Sequence, residues 1–256
     1  MIRWLFILAL LAPAPAFAWG AQGHEIISEI ALRQMSPKAR AQVARLLGSE
    51  TMLIHDASWA DEIRDQRPEA SRWHYVDIPL GARSYDARRD CRDGDCVVAQ
   101  IERDRRILAD RRARPAVRAE ALRFLMHFIA DVHQPLHAED NDDRGGNAVR
   151  VTLGRQRTNL HHVWDVDVVQ TLGYDARDVA ASITVSPAQR KAWCNGNAAD
   201  WANESHALAR DIYEGTRGHR NLRLSPTTLH SVAPITRQQL AKAGTRLACT
   251  LNQVLG

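Results

Sequence analysis

Three histidines and an aspartate crowd the stretch 124–137, FLMHFIADVHQPLH. His127 and Asp131 are four residues apart, so on a helix they share one face. Pro135 stops a helix, and His137 stands just past the stop. Imidazole and carboxylate groups presented together at a helix end suit a divalent cation such as zinc. The same four-residue pairing recurs at His161 and Asp165, in NLHHVWD. His24, Asp61 and His74 are further candidates. The backbone amine of Trp19 joins them if the chain is cut just before it, because a free amine is a ligand and a peptide nitrogen is a poor one.

The candidate ligands are therefore Trp19, His24, Asp61, His74, His127, Asp131, His137, His161 and Asp165. Imidazole and carboxylate donors without thiolate point to zinc ahead of manganese or other metals. At about four ligands per zinc, nine positions with one shared carboxylate suit three ions with room left for water. His133 and His162 adjoin this set but fall off its spacing. His55, His206, His219 and His230 have no ligand-like company and read as structural or surface residues.

Helices must position these groups. Apolar spacing marks helices over 25–34 and 38–47, the second opened by Ser36-Pro37 and closed by Gly48. Residues 51–64 read as a third helix, in which Asp61 and Arg64 share a face as a salt bridge or as part of a site. WHYVDI at 73–78 alternates and reads as a short strand or extended segment. Residues 97–114 read as an arginine-rich helix, and Pro115 opens the long helix carrying His127. Polar residues 140–147 read as a loop. Residues 148–153 alternate and can pair with 73–78 as a small ribbon. Helices broken near Ser186-Pro187, at 215–218 and at Ser225-Pro226 fill the remainder. The fold class expected is mainly α with a small β ribbon.

The chain has 256 residues, 45% hydrophobic and 25% charged, which is enough to bury a core in one domain. Residues 1–18 have the pattern of a secretory signal: Arg3, an apolar run from 4 to 12, then small residues ending in AFA. The run is short for a membrane span. Removal leaves one domain, 19–256, and lowers the net charge from +4 to +3, an excess compatible with a polyanionic substrate. Four cysteines in an exported chain imply two disulfides. Cys91 and Cys96 flank a short turn and can close on each other, leaving Cys194 with Cys249. Three pairings remain open at this point.

Taken together, WGxxGH after the signal site, SWAD, WHYVD, HFxxDxHQPLH, GGN and NLHxVWD resemble the zinc-dependent single-strand nuclease and 3′-nucleotidase family. That family is distantly related to the bacterial zinc-dependent phospholipases C. The motifs run in family order from Trp19 to Asp165; the last third matches only in helical character. The resemblance implies a single-domain helical fold of that type. One zinc would be held by Asp61, His74, His127 and Asp131, and a second by His137, His161 and Asp165. The amine and carbonyl of Trp19, with His24 and Asp131, would hold a third. Asp131 would bridge two ions, and a zinc-activated hydroxide between them would attack phosphorus in line. Arg64 would stabilise the transition state, Tyr75 would stack on a base, and Asp77 would accept a hydrogen bond from it. Asn147 would contact substrate or cap its turn.

The activity so implied is hydrolysis of single-stranded RNA and DNA to 5′-nucleotides, with removal of phosphate from 3′-nucleotides, by a secreted or periplasmic monomer. No stable protein partner and no membrane anchor after signal cleavage are expected. The runner-up is a phospholipase C acting on lipid head groups; Asp165 and the Tyr75/Asp77 pair weigh against it. A metal-binding export protein without catalysis is the third reading.

Overall fold

The computed structural model describes residues 19–216 and 221–256. The expected signal segment 1–18, and His219, lie outside the described residues. Thirteen α-helical segments and three strands occur among those described. In chain order they begin with α1 (Ala21–Gln34), α2 (Pro37–Leu47), α3 (Met52–His55), α4 (Trp59–Glu62) and α5 (Ala87–Asp90). Next come α6 (Val97–Ala109), α7 (Pro115–Asp131), β1 (Arg150–Leu153), β2 (Gln156–Asn159), α8 (Leu160–His162) and α9 (Val168–Gln170). The last are α10 (Ala176–Ser182), α11 (Pro187–Trp193), α12 (Ala198–Thr216), β3 (Asn221–Leu224) and α13 (Pro226–Leu255).

The helix starts follow local chemistry. The Ser36 hydroxyl accepts from the Ala39 amide, Pro37 follows it, and Gly48 closes α2 at φ 93°. Ser186 and Ser225 each open a helix with a reciprocal cap and a proline behind it. The Asn159 side chain accepts from the His162 amide and so starts α8. Residues 163–167 continue as a π turn before α9. The expected 51–64 helix is instead two single turns, α3 and α4, separated by turn residues 56–58.

Helix α7 lies at the centre. From Leu122 to Asp131 every residue but Arg123 is buried, and the helix is enclosed on all sides. Leu125, Phe128 and Ile129 share one core with Ile26, Ile27 and Ile30 of α1 and Leu240, Leu247 and Leu251 of α13. Helices α1 and α13 cross at Gly244, where a Cβ would lie 2.6 Å from that of Ile30. Any side chain there would push the two helices apart.

The β structure departs from expectation. Residues 68–74 wind into a 3-10 helix behind Pro68. The extended chain after it runs beside 137–140: the Val76 amide donates to the His137 carbonyl at 2.8 Å and the Asp140 amide to that of Ile78 at 2.8 Å. The Leu80 amide donates in turn to the Asp140 carbonyl at 2.9 Å, which sets Pro79 opposite Asp140 as one parallel bridge. Residues 73–78 therefore do not pair with 148–153. Strand β1 pairs antiparallel with β2 and parallel with β3, in the order β2-β1-β3. Val151 and Leu222 point into a second, smaller core with Leu160, Trp164 and Leu229.

Cys91 is bonded to Cys96 and Cys194 to Cys249, the second bond joining the end of α11 to α13. Among the described residues no helix is long and apolar enough to cross a membrane.

Candidate metal centre

Helix α7 delivers His127 and Asp131 from its last turns. The first turn of α1 brings His24, α4 brings Asp61, and the end of the 68–74 turn brings His74. A 3-10 turn, Pro135–His137, supplies His137; α8 and the π turn supply His161 and Asp165. These eight side chains, all buried, form three groups whose donor atoms lie within 4.8 Å of one another. The groups are Asp61 with His74 and His127, His24 with His127 and Asp131, and His137 with His161 and Asp165.

Asp131 faces two ways. Its Oδ1 lies 3.4 Å from His24 Nε2, while its Oδ2 lies 2.9 Å from His74 Nδ1 and 3.3 Å from His127 Nε2. Three imidazoles are oriented by the backbone. Nδ1 donates to the Ala57 carbonyl from His127 at 2.8 Å, to that of His74 from His137 at 2.8 Å, and to that of Gly145 from His161 at 2.6 Å. That bond fixes the tautomer and turns each Nε2 lone pair inward. With both Nδ1 hydrogens so used, the His137 and His161 lone pairs face each other at 3.2 Å. His161 Nε2 also faces Asp165 Oδ2 at 3.1 Å. Lone pairs pointed at lone pairs repel unless a cation or proton lies between them.

Electrostatics agree. Burial pushes His24 down to about 4, against the pull of Asp61, and His161 down to about 4. Burial, then neighbouring imidazoles, holds His74 and His137 well below the usual range. Burial also lowers His127 and raises Asp131 and Asp165 far above the ordinary carboxylate range. Neutral imidazoles and isolated buried carboxylates are what a divalent cation would compensate. Both His24 nitrogens, His74 Nε2, His127 Nε2 and Asp131 Oδ1 have no hydrogen-bond partner. A buried polar atom left so costs about 1–3 kcal/mol. The donor set fits metal ions.

The remaining sequence candidates lie around these groups. Trp19 is fully buried, and its indole donates to the Ala130 carbonyl at 3.0 Å. The Gly20 amide donates to the Asp165 carbonyl at 2.9 Å, which ties this segment to the site. Gly23 is required here, since a Cβ would sit 2.7 Å from that of Trp19. Arg64 Nη2 is 3.0 Å from Asp61 Oδ1. Arg64, Tyr75, Asp77 and Asn147 line a cleft of about 510 Å³ with His74 and His137 at its base. The Asn147 amide donates to the Arg144 carbonyl at 2.8 Å, so it braces its turn. A second cleft of about 660 Å³ contains Asp61, Asp165 and Arg157 and shares His161 and Asn147 with the first. A wider hollow of about 940 Å³, beside Tyr213 and Arg210, contains none of the candidate ligands.

Sequence reasoning missed four supporting residues. Gln134 donates to Asp165 Oδ1 at 2.6 Å and accepts from the Leu136 amide at 2.6 Å. Arg72 lies over the Tyr75 ring at 5.8 Å and bonds Asp77 at 3.1 Å. Glu139, buried at the cleft wall, accepts from the Tyr213 hydroxyl at 2.9 Å. Burial, then the charge of Asp143, pushes Glu139 up to about 8. Gln134 and Glu139 flank His137 in sequence, which was the available signal; nothing local pointed to Arg72 or Tyr213.

The chain matches the S1/P1 Nuclease family over residues 19–256. It is 33% identical over 286 aligned positions to Endonuclease 2 of Arabidopsis thaliana, covering all of this chain and 97% of that protein. It is 33% identical to Nuclease P1 of Penicillium citrinum, over 93% of this chain and 98% of that one. Nuclease S1 of Aspergillus oryzae is 27% identical over 93% of the chain and 92% of its own length. A donor set fit for metal ions, a family match over 19–256 and 33% identity across nearly the whole of two such relatives leave one assignment: the chain belongs to the S1/P1 nuclease family.

Proposed function

We propose that this chain hydrolyses single-stranded RNA and DNA to 5′-nucleotides and removes phosphate from 3′-nucleotides, with three zinc ions held in its buried centre. The observation that carries the reading is the convergence of backbone-locked Nε2 lone pairs with buried carboxylates in three groups, of which His137 and His161 line the first cleft and Asp61 and Asp165 the second. All four cysteines are in disulfides, so nitrogen and oxygen are the only donors on offer, which favours zinc. Asp61, His74, His127 and Asp131 would hold one ion; His137, His161 and Asp165 a second; Trp19, His24 and Asp131 a third. When bound, zinc supplies a water acidic enough to ionise near neutral pH and positive charge at the reacting phosphate.

The protein's own groups do the remaining work. Arg64, oriented by Asp61, presents guanidinium N–H groups to the nonbridging phosphate oxygens. Tyr75 offers a face for base stacking, worth about 1–3 kcal/mol and tolerant of base identity. Asp77 accepts from a base N–H. The cleft admits an unpaired base, which a duplex withholds. Asn147 holds the turn between the two clefts. The Trp19 amine participates only once the leader 1–18 has been removed, as in an exported protein; the two disulfides support such a compartment. Residues 19–256 then act as one domain.

The test uses the chain beginning at Trp19 and the same chain with one residue added before it. Both are assayed on single-stranded RNA, single-stranded DNA, a 3′-nucleotide and phosphatidylcholine, with metal content measured. The expected result is nucleotide and phosphate release by the first form and the loss of one metal and most activity in the second. Phosphocholine release with no nucleotide release would replace the proposal with the phospholipase reading.

A further inference from the structure

The three-stranded sheet has two unlike faces. Residues directly opposite on paired strands share a face. Val151 and Leu222 therefore face the second core, with Leu153 and Leu224 packed against it. The other face carries Arg157 opposite Thr152 and Thr152 opposite Arg223, with Arg150 opposite both Asn159 and Asn221. All three arginines are exposed. None of their side chains has a hydrogen bond or ion pair with a described residue. Neighbouring strands lie about 4.8 Å apart, so Arg157 and Arg223 stand about 10 Å apart across the sheet. From 144 to 164 the chain has four arginines and no acidic residue. This is a cationic surface without internal compensation.

The surface is continuous with the candidate centre. Strand β2 is one edge of the sheet, and its Arg157, Thr158 and Asn159 line the second cleft, whose wall includes Asp61, His161 and Asp165. A chain leaving the metal groups through that cleft meets Arg157 in the cleft lining, with Arg150 and Arg223 on the two neighbouring strands of the same face.

Resting on the nuclease reading above, we propose that this sheet face is a polynucleotide track. Arg157, Arg150 and Arg223 bind backbone phosphates of a single strand beyond the nucleotide being cut. The face has no aromatic side chain, so it holds charge and reads no base. It makes long single strands better substrates than mononucleotides. It also makes their binding strongly salt-dependent, because each neutralised phosphate releases counterions.

The test compares the metal-loaded protein with its Arg150→Gln/Arg157→Gln/Arg223→Gln variant. An Arg106→Gln/Arg111→Gln/Arg112→Gln variant has the same charge change at exposed sites elsewhere. The ligand is a labelled all-phosphorothioate (dT)20, read by fluorescence anisotropy from low to high salt. Three phosphate contacts at about 0.7 each predict that the slope of log affinity against log salt falls by about 2 in the sheet variant. Kd at low salt should weaken at least about tenfold, and the matched variant should bind as the parent does. In kinetics, the sheet variant's loss on poly(U) should exceed its loss on a 3′-nucleotide by about tenfold. An Arg→Lys triple variant should keep the slope, which separates charge from misfolding. An unchanged slope, or an equal loss in the matched variant, would overturn the track. A parent that binds (dT)20 with the steep slope but cleaves nothing would instead sink the nuclease reading and leave the surface standing.

Discussion

His133 and His137 are four residues apart, both are buried, and both donate Nδ1–H to a backbone carbonyl. Their other nitrogens meet opposite surroundings. His133 Nε2 accepts from Arg246 at 2.9 Å, and Arg246 is tied to Glu204 at 2.6 Å and to the Trp193 carbonyl at 3.2 Å. Gln239 caps the His133 carbonyl at 2.8 Å, and Lys242 adds a second cation to Glu204 at 2.9 Å. The imidazole, guanidinium, ammonium and carboxylate of that network each have a partner of opposite character. His137 Nε2 instead meets another lone pair on His161. Burial, then the Arg246 charge, pushes His133 down to about 3, so both rings are neutral. A neutral ring in the first setting is satisfied by the protein; in the second it awaits a cation. His206 also finds its contacts within the protein, its two ring nitrogens reaching the carbonyls of Ala138 and Ala82.

The contrast can be broken most sharply at the ligands. Replacing His137 with Ala should lower hydrolysis by more than about 100-fold, beyond the range of outer-shell effects, and lower bound metal measured by elemental analysis. Full metal content in that variant would erase the distinction drawn between the two histidines. Gln134→Ala should have a smaller effect. It frees Asp165 Oδ1 without removing a ligand, so metal affinity in a chelator competition should drop about 10–100-fold. An unchanged affinity would reduce Gln134 to a brace for its own turn.

The satisfied network should respond in stability alone. Arg246→Leu leaves His133 without its donor and Glu204 with Lys242 alone. It should cost about 2–3 kcal/mol in urea unfolding, below the 3–5 typical of a fully buried pair because Glu204 is part-exposed. Metal content should be unaffected. The pH dependence follows from Glu204. Burial pushes it up, but Arg246 and Lys242 outweigh that and hold it at about 2, against an ordinary 4.5. A depressed carboxylate contributes stability above its unfolded value and loses it as pH falls through the folded one. The gap between parent and variant should therefore be full above pH 4.5 and shrink toward pH 2. A gap that widens on acidification would show that the ion pair is not the source.

Much of the frame was legible because it is local. Pro115, the Ser36, Ser186 and Ser225 caps, and the His127/Asp131 and His161/Asp165 spacings act within a turn or two of helix. Local spacing accounts for the His127/Asp131 and His161/Asp165 pairs, while the gathering of all eight side-chain candidates into three groups joins distant segments. The 73–78 segment misled because alternation marks extended chain without naming its partner. Residues 137–140 took that place, and β1 turned to β2 and to β3, about 70 residues away.

By itself, the order of residues settled which groups are chemically able to bind metal, where helices begin, and that most of the chain is helical. Only the folded chain decided which imidazoles keep a lone pair. Spacing acts over about one turn, whereas the fate of His133 depends on Arg246, 113 positions away. The bridging posture of Asp131, the grip of Gln134 on Asp165 and the union of three arginines on one sheet face arise in the same way. Each is a meeting of distant segments, fixed by core packing rather than by any local preference.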